Sequence, residues 1–161
     1  MSIEKVRAYF AQFGMEKRIL EFDVSSATVE LAAQAVGVEG KQIAKTLSFL
    51  LGDACILIVA AGDAHVDNKK YKERFGLKAK MLAQDDVPEY IGHAVGGVCP
   101  FAVKDGVKVY LDESLKRFET VFPAAGSASS AIELTIPELE KYSKFDGWVD
   151  VCKDWRTDAA E

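Results

Sequence analysis

Apolar residues at Ile3, Val6, Phe10 and Phe13 recur at three- and four-residue steps, which predicts an amphipathic helix stopping at Gly14. Its apolar face needs a sheet to cover. Residues 19–22 then read as a short strand, Asp23-Val24-Ser25-Ser26 as a turn, and residues 28–36 as a small-residue helix with Glu30 in its first turn and Gly37 just past its end. The clearest hairpin signal follows: residues 43–51 and 55–61 are apolar runs flanking Gly52-Asp53. By the period-two rule Lys45, Leu47 and Phe49 share one face of the first strand, and Ala44, Thr46 and Ser48 the other. Both faces are largely apolar, so the sheet should be covered on each side.

Asp67 can cap a helix over residues 68–75 that ends at Gly76, with residues 77–82 extended behind it. Residues 84–90 suggest a short helix whose length Pro88 limits, and residues 107–111, 120–123 and 130–134 suggest further strands. Thr135-Ile136-Pro137-Glu138 has the spacing of a capping box for a last helix through Tyr142. Strands and helices mix without regular alternation. The expected fold class is therefore α+β: a mixed, mostly antiparallel sheet or partial barrel with flanking helices. No repeat, low-complexity tract or linker divides the chain, so residues 1–161 are expected to form a single domain with its core in about 19–142.

With 161 residues, 49% hydrophobic and 28% charged, the chain is large enough to bury a core and falls in no disordered class. No apolar stretch approaches the roughly 18 residues of a membrane span, so no membrane partner and a cytoplasmic location are expected. Cys55, Cys99 and Cys152 are odd in number and widely spaced, which fits neither a disulfide framework nor a zinc ribbon. His65 and His93 have no metal-ligand spacing. No metal and no cofactor are expected. The net charge of −5 argues against a DNA-binding protein that works by bulk electrostatics. Residues 68–80, however, carry a local +5 through Lys69, Lys70, Lys72, Arg74, Lys78 and Lys80 against Glu73. That stripe is either a solvated helix face or a place for a phosphate backbone.

Two segments carry candidate chemistry. Lys45 lies in an otherwise apolar strand, Ile43-Ala44-Lys45-Thr46-Leu47, where an ammonium group is expensive unless an anion answers it or its stem reaches solvent. Gly96-Gly97-Val98-Cys99-Pro100-Phe101 is a backbone suited to close approach, with main-chain N–H groups of Gly97, Val98 or Cys99 as candidate donors to a developing oxyanion. Together they outline an anion-receptive pocket. Cys99 is either an inert small side chain or a nucleophile, and His93, three residues before Gly96, could line the same cleft.

These segments resemble the marks of the YbaK family, the prolyl-tRNA-synthetase-associated editing domains: a Lys-Thr-Leu strand and a Gly-Gly-hydrophobic-Ser-Pro loop. Asp67-Asn68-Lys69-Lys70 and Ala79-Lys80-Met81-Leu82 look like the family's central helix and following strand, and Gly126-Ser127 with Ala131-Ile132-Glu133-Leu134 like its third loop and closing strand. The resemblance covers roughly residues 19–142. It implies a trans-editing hydrolase that cleaves the ester of mischarged aminoacyl-tRNA carrying a small amino acid by water attack, with no cofactor. It further implies that Lys45 anchors the substrate, that Gly97, Val98 and Cys99 serve the chemistry, and that Phe22, Thr46, His93, Gly96, Pro100, Phe101, Gly126 and Ser127 contact the substrate. The tRNA acceptor end would dock on Lys69, Lys70, Lys72 and Lys80, with transient association to a synthetase. Cys99 stands where relatives have Ser or Thr, the third loop lacks their basic residues, and Ala131 stands where the cysteine-editing branch has Asp. These departures argue against cysteinyl specificity and keep open a non-catalytic aminoacyl-tRNA or small-ligand binding module. A cysteine-dependent thioesterase or amidase is a third reading.

Overall fold

The computed structural model describes residues 2–94 and 96–155. In chain order the elements are α1 (Ser2–Ala11), β1 (Ile19–Glu21), α2 (Val29–Val36), β2 (Ile43–Leu51), β3 (Ala54–Ala61), β4 (His65–Val66), α3 (Asn68–Phe75) and α4 (Val87–Ile91). Then come β5 (Lys108–Asp112), β6 (Thr120–Pro123), β7 (Ser130–Ile132), β8 (Leu134–Thr135), α5 (Ile136–Ser143), β9 (Gly147–Val149) and β10 (Cys152–Lys153). The predicted hairpin is the spine of a curled six-stranded sheet in the order β8-β6-β2-β3-β5-β9. β2 and β3 pair antiparallel from Ala44–Ala61 to Leu51–Ala54, and β6 and β8 are antiparallel as well. Three pairings in this sheet, β2 with β6, β3 with β5 and β5 with β9, are parallel. The sheet is mixed because helices and long loops carry the chain back between those strands.

Strict alternation along the hairpin builds two cores. Cys55, Leu57, Val59 and Ala61 pack on one face with Val6 and Phe10 of α1 and Leu139 of α5. Ile56, Ile58 and Ala60 pack on the other with Phe49 of β2 and Tyr71 of α3. Each of the buried Val, Leu, Ile and Phe side chains among these contributes about 1.5–3 kcal/mol relative to exposure. Phe10 binds the first core to its neighbours, edge-on to Phe101 at 4.9 Å and to Tyr142 at 5.6 Å.

The predicted caps are present. Thr28 Oγ1 accepts the Leu31 N–H at 3.1 Å and Asp67 Oδ1 the Lys69 N–H at 2.9 Å, each satisfying a helix-end donor. Both bonds of the Thr135–Glu138 capping box form.

Several expectations need correction. Pro88 sits in the first turn of α4 and starts that helix rather than limiting it, since a missing N–H costs nothing there. Residues 130–134 are two strands: β7 pairs with β1 and β8 with β6, so the chain changes partner at Glu133. Beyond the last helix predicted from sequence, the chain adds β9 to the sheet edge and pairs β10 with β4. Its anchor is Asp112, wholly buried, which accepts the Val151 N–H on Oδ1 at 2.9 Å and the Ser114 N–H on Oδ2 at 3.0 Å.

Candidate active site

A gap in the sheet makes the site. β6 follows β2 only at Ile43–Phe122 and Ala44–Pro123, because Pro123 has no N–H with which to extend the ladder. Farther along, the segment after α3 rejoins β2: the Leu50 N–H reaches Lys80 O at 2.8 Å and the Leu82 N–H reaches Ser48 O at 3.1 Å. Between these two covers, the edge of β2 from Lys45 to Leu47 is open among the described residues. A cavity of about 290 Å³ lies over it, walled by α2, β2, the Met81–Leu82 stretch, Phe122, Gly96 and Val98.

Lys45 lines this cavity together with Gly96 and Val98, so the strand and the diglycine loop meet at one place. Its ammonium is half-buried and donates to Gly62 O at 3.4 Å. Burial holds its pKa below the ordinary lysine value, with Asp63 and Glu30 opposing from nearby. Asp63 itself is committed to a two-pronged pair with Arg117. The neighbouring Cys152 thiol is pushed up by burial and by Asp112, so it is neutral at pH 7. Among the described residues, no carboxylate pairs with Lys45. A half-buried cation without an anion is receptive to one.

Besides Lys45, the lining mixes apolar side chains with Ser26, Thr28, Thr46, Ser48, Gln84 and Ser130, and two of these hydroxyls stand out. Thr46 Oγ1 and Ser26 Oγ both belong to lining residues, are buried, and lack a hydrogen-bond partner among the described residues. Orphaned hydroxyls of this kind call for a group to satisfy them. Ser26 was not singled out from the sequence, where it reads as one residue of a turn. It enters the site because its N–H bonds to Ala128 O at 2.6 Å, folding that turn onto the loop before β7.

Other predicted residues stand behind the wall rather than in it. Gly97 is in contact with the other glycine loop: a Cβ there would lie 2.7 Å from Ser127 Cα and 2.8 Å from Gly126 C. Its N–H is taken by Ala94 O at 3.0 Å, which removes it as an oxyanion donor. Gly126 and Ser127 thus seat the diglycine loop and do not line the cavity, and the Ser127 hydroxyl turns to Ser130 Oγ at 2.9 Å. Phe101 is core, packed on Phe10, and Pro100 is buried beside it. Phe22 is half-buried outside the cavity, its N–H on Ser129 O at 2.8 Å.

His93 and Cys99 are wholly buried, so neither faces the cleft. Burial pushes the Cys99 thiol up to about 12, a value incompatible with a thiolate nucleophile at neutral pH. His93 Nε2 lies 3.6 Å from Cys99 Sγ, yet it is 2.6 Å from Phe101 O. A carbonyl oxygen can only accept, so Nε2 carries the proton and cannot take one from the thiol. The pair is not a catalytic dyad.

On α3, Lys69 and Lys72 are exposed, as is Lys80 next to the cavity-lining Met81. Lys70 is engaged, donating to Cys152 O at 3.0 Å and to Asp150 at 3.3 Å. Among the described residues no group of His, Cys, Asp and Glu could hold a metal ion, and no helix is long and apolar enough to cross a membrane.

The family profile described as "Aminoacyl-tRNA editing domain" matches residues 24–142. A Bacillus subtilis protein, YwhH, described as uncharacterized, is 56% identical over 156 residues, covering 96% of this chain and 99% of that one. The proline–tRNA ligase of Lactiplantibacillus plantarum is 23% identical over 125 residues, 77% of this chain but 22% of the ligase, so the likeness is to one segment of a longer enzyme. A solved structure titled as a candidate trans-editing enzyme for prolyl tRNA synthetase superposes with a TM-score of 0.84 at 28% identity, covering 94% of this chain and 97% of that one.

Proposed function

The chain belongs to the aminoacyl-tRNA editing domain family, and from that premise we propose that it is a trans-editing hydrolase that removes a small amino acid from mischarged tRNA. The observation that carries this reading is the Lys45 ammonium, half-buried and without a carboxylate partner among the described residues, in a cavity shared with the diglycine loop. Lys45 draws in the negatively polarised end of the substrate and fixes the ester for attack. Water adds to the ester carbonyl, the acyl C–O bond breaks, and the ribose oxygen of the terminal nucleotide leaves with a proton as the free amino acid departs. Val98 offers its main-chain N–H to the developing oxyanion. Thr46 and Ser26 give their unpaired hydroxyls to polar atoms of the aminoacyl group, and the apolar wall with Phe122 limits its size. Such sorting complements a synthetase, whose pocket gains only about 1–3 kcal/mol per methylene.

The acceptor stem docks through the exposed Lys69, Lys72 and Lys80 in this reading, with weak, salt-sensitive affinity. The likeness to a segment of proline–tRNA ligase supports a cytoplasmic role beside that synthetase. Alanyl-, seryl- and cysteinyl-tRNA presented to the parent and to Lys45→Ala test the proposal. Deacylation of at least one by the parent, lost in Lys45→Ala, is the expected result. Binding without deacylation by the parent replaces the hydrolase with the binding-module reading.

A further inference from the structure

One buried contact behind the cavity wall has no part in the hydrolysis just described. His93 follows α4 directly, past Gly92, and is wholly buried. Its Nε2–H donates to Phe101 O at 2.6 Å, and the same nitrogen lies 3.6 Å from Cys99 Sγ. One ring therefore grips two residues of the diglycine loop, at its centre and at its end. Phe101 is held from its other side by Phe10, edge-on at 4.9 Å. Val98, the loop residue next to Cys99, lines the cavity with Lys45.

We propose that His93 is a positioning residue: through its bond to Phe101 O and its contact with Cys99 it fixes the segment from Gly96 to Phe101 as the cavity wall that presents Val98. Both partners are wholly buried, and in such a low-dielectric setting a hydrogen bond is held strongly. The grip works with a neutral ring. Nδ1 is buried without a partner among the described residues, so a proton there would be a second donor with nothing to receive it. Burial lowers the imidazole pKa from its ordinary 6.5, the Phe101 carbonyl opposes that shift, and Lys5 of α1 reinforces it. Lys5 itself donates to Gly92 O at 2.8 Å, Lys104 lies beside Gly92, and the Cys99 thiol stays protonated. The surrounding charges are thus cationic. Because the folded value lies below the unfolded one, the contribution is complete above 6.5 and declines as pH falls from there through the lowered value.

The inference rests on the hydrolase reading only for its consequence in turnover, so it is tested by two readouts on the full chain. In His93→Phe the amides of Val98, Cys99 and Phe101 should exchange with solvent at least about tenfold faster, while those of the β2–β3 hairpin keep wild-type protection. Deacylation should lose about tenfold or more in kcat with KM moved less than about threefold. Unchanged loop exchange in the folded variant overturns the proposal, as does uniform acceleration through the hairpin, which marks a merely structural role. Should His93→Phe fail to fold, nitrogen NMR of the parent decides: a neutral Nε2–H ring at pH 7 is expected, and a charged ring or the Nδ1–H tautomer overturns the proposal. A parent that deacylates nothing defeats the hydrolase reading while leaving the exchange result standing.

Discussion

Gly97 and Ser127 meet through their main chains: a Cβ on Gly97 would lie 2.7 Å from both Cα and N of Ser127, closer than folded proteins tolerate. The two glycine-bearing loops are therefore one packed wall, and a residue without a side chain is what lets them close. Gly97→Ala should push them apart and lower stability by about 1–3 kcal/mol. Deacylation should fall further than the lost stability explains, because the displaced loop carries Val98. Gly147→Ala is the control, since a Cβ there meets nothing within 4 Å and should leave both properties near wild type. Thermal melts and deacylation rates on the two variants check this.

Lys45→Met separates function from stability. The apolar chain keeps the volume of the lysine stem and removes a half-buried charge that no carboxylate among the described residues answers. Deacylation should drop by about 10²–10³, while Tm stays level or rises by roughly 1–3 °C. The parent's rate should also fall on the alkaline side as the ammonium deprotonates, at a pH below the ordinary 10.5. For stability the sign is opposite. The folded pKa lies below the unfolded one, so between them the unfolded chain holds more protons and stability rises with pH. In Lys45→Met that alkaline rise should vanish. A rate still undiminished in Lys45→Met removes the ammonium from the mechanism.

Cys99→Ser tests whether the thiol takes part. With Cys99 wholly buried and its pKa near 12, the group is neither a nucleophile nor an accessible target. The serine variant should keep deacylation within about threefold of the parent, its hydroxyl replacing the weak thiol contact to Phe101 O at 3.8 Å. Native protein at pH 7.5 should resist alkylation at Cys99 and become reactive only on unfolding. Mass spectrometry after alkylation in the native and denatured states reads this directly.

Local signals explain which parts of the fold were legible. The β2–β3 hairpin, the caps at Thr28 and Asp67 and the Thr135–Glu138 box are each written within a few residues, and each forms. Lys45 and the loop from Gly96 stood out because charge in a strand and paired glycines are rare enough to need a reason. What stayed hidden depends on distant partners. Nothing near Ser26 announces that Ala128 will fold it over the cavity. The edge opening of β2 depends on the strand-like return at Met81 and on Pro123, both far downstream of Lys45 in the chain. His93 looked like a cleft residue by proximity in sequence, but the loop turns so that its backbone, not the cavity, receives the imidazole. The final strands were missed because short, polar-flanked pieces such as Cys152–Lys153 acquire strand character only by pairing.

Gly62 is the residue whose role was least visible and whose effect on the site should be large. Its carbonyl is the direct acceptor for the Lys45 ammonium, at 3.4 Å. Its missing Cβ is what allows the chain to pass Gly40, since an added methyl would collide with Gly40 O and lie 2.8 Å from Val29 Cγ1. The first of these is backbone and cannot swing aside, so Gly62→Ala must move the turn after β3 away from the residues preceding β2. That shift carries the carbonyl away from Lys45 and loosens Asp63, whose carboxylate is paired with Arg117. The variant should lose about 1–3 kcal/mol of stability, and the lysine should sample positions outside the cavity. Under the proposed function, kcat/KM should fall by about tenfold or more, since an angstrom of misplacement in a positioning group is costly. Asp63→Asn, which weakens the Arg117 pair but leaves the Gly62 carbonyl in place, should retain most of the rate. Equal losses in the two variants would mean that the turn as a whole, not the carbonyl beneath the ammonium, holds Lys45 in position.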